Sequence, residues 1–210
     1  MNKSLNAALV LLCLFIFGLG VLPGFESCSF ALFALMLIGC FYKFADVFLL
    51  GLVCGLALFL SKAQIFRGLL FPPLPLAISL AAGFVAGKAL PFARGAFDWI
   101  EAGVLERRQA ALVGGIAALS AISLVCWYEL AQPDVKDLAQ LIPHTGMAVL
   151  IVAGFLFSVF NAVCEEFLWR GVVFAALERA LLPAAAVIAF QAGSFGMAHL
   201  PRFGEVKEFC

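Results

Sequence analysis

About 20 consecutive apolar residues let an α-helix cross the hydrocarbon core of a bilayer, and this chain nears that length repeatedly. Leu5–Val21, Ser27–Phe41, Val47–Leu60, Leu74–Leu90, Ala110–Trp127, Met147–Leu168 and Leu181–His199 are apolar runs divided by short polar connections. The second and third are short, fitting tilted or interfacial helices. Only helices and closed barrels satisfy their backbone groups in lipid, and these runs are too long and too uniformly apolar for barrel strands. The expected fold is all-α, a polytopic transmembrane helical bundle of about seven helices. Composition agrees, since 65% of residues are hydrophobic and 12% charged, whereas about a quarter of a soluble domain is charged.

Charge narrows the partners. Formal net charge is zero, which gives no electrostatic footprint for nucleic acid and leaves the lipid bilayer as the expected environment. Lys3, Lys43, Lys88, Arg94, Arg107, Arg108, Arg170 and Arg179 fall on the side of the amino terminus when seven spans are counted. Lys62, Arg67, Lys136, Arg202 and Lys207 fall on the other side, so the bias favours a cytoplasmic amino terminus. The first run suits a signal peptide or a first span; Pro23, Gly24, Phe25 and Glu26 follow it in place of a small-residue cleavage site, which favours a retained helix. The seven cysteines form no C-x-x-C pair and read as small buried hydrophobes. The charged stretch Pro91–Arg108 reads as a solvated connector or a surface helix. Residues 1–126 then supply helices of unassigned role, and 127–210 hold the chemistry.

That chemistry centres on Ser158-Val-Phe-Asn161-Ala-Val-Cys164-Glu165-Glu166-Phe-Leu-Trp169-Arg170-Gly171. A charged group at the centre of a bilayer costs roughly 2.5–3.5 kcal/mol on insertion scales, so two adjacent acids in an apolar helix call for a reason. Residues three or four apart share a helix face. Glu166 and Arg170 therefore suit an ion pair, while Ser158, Asn161 and Glu165 form a second polar stripe. On this reading Arg170 holds Glu166, losing Arg170 destabilises the bundle, and Glu165 stays available to a water or substrate. The alternative puts both acids among lipid headgroups with Arg170 snorkelling.

The next helix places Gln191, Phe195 and His199 on one face. With a turn near Leu181, Glu165 lies 16 residues before it and His199 18 residues after it. At about 1.5 Å per residue their depths differ by only about 3 Å. An acid and an imidazole can then meet across the hairpin, as a general base and its partner must.

These residues carry a resemblance. Glu165-Glu166-Phe-Leu-Trp-Arg170 is similar to the E-E-x-x-x-R motif, and Phe195-Gly-Met-Ala-His199 to the F-x-x-x-H motif, of the CAAX-protease and bacteriocin-processing (CPBP, or Abi) intramembrane proteases; Asn161 and Gly171 fit too. The resemblance covers mainly residues 127–201. It implies an integral protein of a bacterial plasma membrane, hydrolysing a peptide bond of a membrane-anchored protein or peptide. CAAX-type prenyl proteins, bacteriocin-like peptides and sorting-signal proteins are the substrate classes implied. Glu165 and His199 would activate water, Glu166 and Arg170 would order the site, and Asn161 and Phe195 would touch substrate.

No metal is expected, because H-E-x-x-H is absent and the chain has two histidines; zinc is the lesser alternative. Such proteases usually continue into helices bearing a second histidine and an Asn or Asp that bind the oxyanion. The other histidine here, His144, precedes Glu165 by 21 residues, about 31 Å along a continuous helix, and cannot serve. The resemblance thus implies a core incomplete at its carboxy end, with weak or no turnover by this chain alone. Two other classes compete: a non-catalytic scaffold or immunity-type relative, and a small transporter whose intramembrane acids bind cations.

Overall fold

The computed structural model describes residues 3–22, 24, 25, 27–63, 73–97, 106–132, 146–180 and 183–205. Those residues are helical with no strand. The helices are α1 (Lys3–Val21), α2 (Cys28–Tyr42), α3 (Ala45–Lys62), α4 (Pro73–Ala89), α5 (Arg107–Ala131), α6 (Met147–Glu166), α7 (Ala175–Arg179) and α8 (Ala184–Glu205). A 3-10 turn, Pro91–Ala93, follows α4, and a π-helical segment, Phe167–Phe174, joins α6 to α7. Each expected apolar run overlaps one of these helices, and the fold is the all-α bundle expected.

Among the described residues three helices are long and apolar enough to cross a membrane: Lys3–Val21, Ala45–Lys62 and Ala148–Arg179. Cys28–Tyr42, Pro73–Ala89 and Ala184–Ala198 are shorter apolar helices. The sixth run does not stop at Leu168, because the π segment carries it on into α7. At 32 residues this helix outruns the roughly 30 Å of hydrocarbon, and Glu165 lies near its midpoint.

The chain divides into two compact units, Met1–Ile100 with Val152–Cys210, and Glu101–Ile151. The second consists, in its described part, of α5 and the first turn of α6. At the start of α5 the Gln109 side chain reaches back to accept the Glu106 backbone N–H at 3.0 Å, satisfying a donor that the helix itself leaves open. Asp98, Trp99 and Glu101 of the expected connector lie outside the described residues, as does His144.

In the first unit, sequence dictates close packing. Gly51 and Gly55 of α3 stand four residues apart, on one face. A Cβ on Gly51 would lie 2.7 Å from the Leu32 carbonyl oxygen and the Met36 nitrogen of α2. Without side chains at such positions two backbones can approach each other, which is how helices associate where lipid supplies no hydrophobic drive. Gly39 makes the reciprocal approach, with Phe48 nitrogen 2.5 Å from where its Cβ would be. The connection is equally tight, since Lys43 adopts the left-handed conformation (φ 57°) and its N–H reaches the Cys40 and Gly39 carbonyls.

This packed group meets the carboxy-terminal helices in one core. Val10 and Cys13 of α1, Leu32 of α2, Val47, Leu50 and Val53 of α3, and Val173 and Leu177 beyond the acids are all fully or almost fully buried. Gly18 of α1 lies against the Met197 side chain of α8. An ion pair pins the same contact, Arg179 Nε to Asp46 Oδ1 at 2.7 Å, and Arg179 Nη1 also donates to the Ala96 carbonyl at 3.5 Å. Asp46 is buried, and Arg179 is the partner that offsets the cost of burying its polar group.

Candidate functional site

The paired acids end α6, and the widened winding of Phe167–Phe174 starts at the next residue. A π segment carries i→i+5 hydrogen bonds, so its turns hold more residues, and such segments recur at functional sites. Across this junction the Glu166–Arg170 ion pair forms, with Nη1 2.9 Å from Oε1. The side chains are 55% and 75% exposed, respectively. That exposure corrects the expectation that losing Arg170 destabilises the bundle, because an exposed ion pair contributes about 0–1 kcal/mol.

Glu165 faces differently and is half-buried. Its Oε1 accepts a hydrogen bond from the Asn161 amide nitrogen at 2.9 Å, one helical turn earlier, as the shared stripe predicts. Ser158 shares that face without bonding to either residue. Its hydroxyl donates to the Gly154 carbonyl at 2.8 Å, the back-bonding habit of helical serines. Ser194 does the same on α8, donating to the Phe190 carbonyl at 2.6 Å.

Trp169, which the motif skips over, organises the aromatic side. It is buried and stands edge-on to Phe195 of α8, ring centroids 5.5 Å apart at 79°. Toward α1 it meets Phe17 at 6.0 Å. A tryptophan inside a run of apolar residues was the available signal, but its two partners lie on distant parts of the chain. Asp46 and Arg179 are 133 residues apart, and the sequence marked Arg179 only as one of the cations that set orientation.

These groups surround one cavity of about 350 Å³, lined by Ala162, Glu165, Glu166, Trp169, Arg170, Gln191 and Phe195. A space of that size suits a small-molecule or peptide segment. The structure thus brings Glu165, Glu166, Arg170 and Phe195 together at one opening, with Asn161 held to it through Glu165. His199 belongs to α8, but its side chain lies outside the described residues. Among the described residues no group of three His, Cys, Asp or Glu side chains is placed to hold a metal ion.

An acid pair, an arginine one turn on and a phenylalanine from the next helix thus face one cavity. Residues 147–208, which carry both motifs, match the family model described as type II CAAX prenyl endopeptidase Rce1-like. No curated protein and no solved structure matches the chain.

Proposed function

We propose that the chain acts as an intramembrane endopeptidase, hydrolysing a peptide bond of a membrane-anchored protein or peptide, with CAAX-type prenyl proteins the leading substrate class. The carrying observation is that Glu165, Glu166, Arg170 and Phe195 surround a single cavity within the segment matching a prenyl endopeptidase family. In this reading Glu165, oriented by Asn161, takes a proton from a water while His199 shares in activating it. The hydroxide adds to the scissile carbonyl carbon, the carbonyl oxygen gains the negative charge, and collapse expels the amine, which receives the proton from Glu165. Arg170 holds Glu166 so that one acid, not two, acts on the water, and Phe195 packs beside the substrate. Residues 127–210 form the working core, in a bacterial plasma membrane with the amino terminus cytoplasmic.

The test is cleavage of a farnesylated CAAX-type substrate by chelator-treated protein in liposomes. Turnover by the unsubstituted protein, lost in Glu165→Gln and in His199→Ala, supports the mechanism. Full activity in Glu165→Gln would refute the assignment of the base. Activity lost on chelation and restored by zinc would replace the metal-free mechanism with a zinc one. A folded protein that turns over no substrate in any of these forms is the non-catalytic scaffold or immunity-type relative.

A further inference from the structure

The cavity contains one polar side chain that the mechanism leaves idle. Gln191 lies on α8, opposite the acids and four residues before Phe195, and is half-buried in the cavity wall. The charged lining groups are engaged: Glu165 by Asn161, and Glu166 and Arg170 by each other. The neighbouring hydroxyls of Ser158 and Ser194 are spent on their own helices. The Gln191 carboxamide has no hydrogen-bond partner among the described residues.

A carboxamide offers two donors on nitrogen and an acceptor oxygen, the complement of a peptide group with its one C=O and one N–H. The acids across the cavity cannot serve a substrate carbonyl, since ionised carboxylates only accept. Arg170 can donate, but its guanidinium is drawn to Glu166. Trp169 is buried with its ring packed against Phe17 and Phe195, which leaves the Gln191 amide, on the helix facing the base, as the accessible uncommitted donor among the described lining residues.

We propose that Gln191 is the residue that grips the substrate backbone, its amide N–H donating to a peptide carbonyl held across the cavity from Glu165. This rests on the endopeptidase reading and adds the donor side of the site to it. If the gripped carbonyl is the scissile one, the same N–H strengthens its bond as charge develops on the oxygen, and the contribution falls on kcat as well as on KM.

The test uses the full chain in liposomes and a farnesylated CAAX-type peptide as probe. Binding is measured in a Glu165→Gln background, so that the peptide stays intact, and cleavage is measured in the parent. Gln191→Leu and Gln191→Met keep the bulk and remove the amide, and two variants guard against one that misfolds. Expected are a roughly 3- to 10-fold weaker binding in both and melting temperatures matching the parent. Replacing the gripped peptide bond by an ester, a weaker acceptor, should weaken binding to the parent and change little in the variants. Binding that depends on Gln191 without any cleavage upholds this inference and sinks the endopeptidase reading. Cleavage that depends on Glu165 with binding indifferent to both substitutions overturns the inference alone. No binding of the probe by the parent overturns it as well.

Discussion

The two ends of the first unit solve opposite problems with the same residue. Gly39, Gly51 and Gly55 lie where α2 and α3 meet, and a methyl group on any of them would strike or crowd the neighbouring helix. Gly154, Gly193 and Gly196, on the helices that carry the motifs, have nothing within 4 Å of where a Cβ would go among the described residues. Over an 18-residue apolar window α3 is 56% buried and the span carrying the acids 6%, the latter becoming buried again from Leu168 onward. Glycine in the first place lets backbones touch; in the second it leaves space. Closely packed elements resist local opening, and sparsely packed ones are where ligand sites are found. The difference teaches that the amino-terminal helices act as an anvil against which a loosely covered, chemically equipped hairpin is held.

The largest expected effect is on activity at the hairpin. Glu165→Gln should lower cleavage on the order of 10²–10⁴-fold while leaving the melting temperature in detergent nearly unchanged, since the amide keeps the volume and can still pair with Asn161. Parallel losses of activity and melting temperature would erase the proposed separation between a site and its support.

Next in size is overpacking at the helix pair. Gly51→Ala should destabilise by about 1–3 kcal/mol, because the obstructing atoms are backbone and cannot swing aside. Gly193→Ala should be neutral or stabilising by up to about 1 kcal/mol, since alanine is the better helix former and meets open space. Equal melting shifts for the two would break the comparison outright.

The ion pairs give a smaller contrast. Asp46→Ala strands Arg179 and should cost about 2 kcal/mol, less than the roughly 3–5 kcal/mol of a fully buried pair because Arg179 is itself 38% exposed. Arg170→Ala should cost no more than about 1 kcal/mol. Chemical denaturation of both variants ranks them, and a reversed order would mean that Arg170, not Arg179, carries structure.

Sequence made some of this legible for definite reasons. Apolar runs announce helices because lipid permits little else, and the Glu166–Arg170 and Asn161–Glu165 contacts follow from residues four apart on one helix. What lies beyond a single turn was not readable. Trp169 finds Phe17 and Phe195, and Asp46 finds Arg179, only once the helices are docked. Spacing gave the face of Ser158 and not that its hydroxyl turns back to its own backbone. The continuation of the sixth helix through Phe167–Phe174 went unseen because no residue type there signals a change of winding.

That change of winding has a consequence for chain length. A π segment behaves as an α-helix that has taken in extra backbone without disturbing the turns on either side. Removing one residue between Phe167 and Phe174 should therefore tighten the coil locally and leave Glu165 and Arg179 aimed as before. The same deletion between Asn161 and Glu165 would swing everything upstream by about 100° relative to the acids. Circular dichroism and melting of the two deletions would tell them apart, and equal damage from both would deny the segment this tolerance. The helix has one elastic place, and it begins at the residue after the acids.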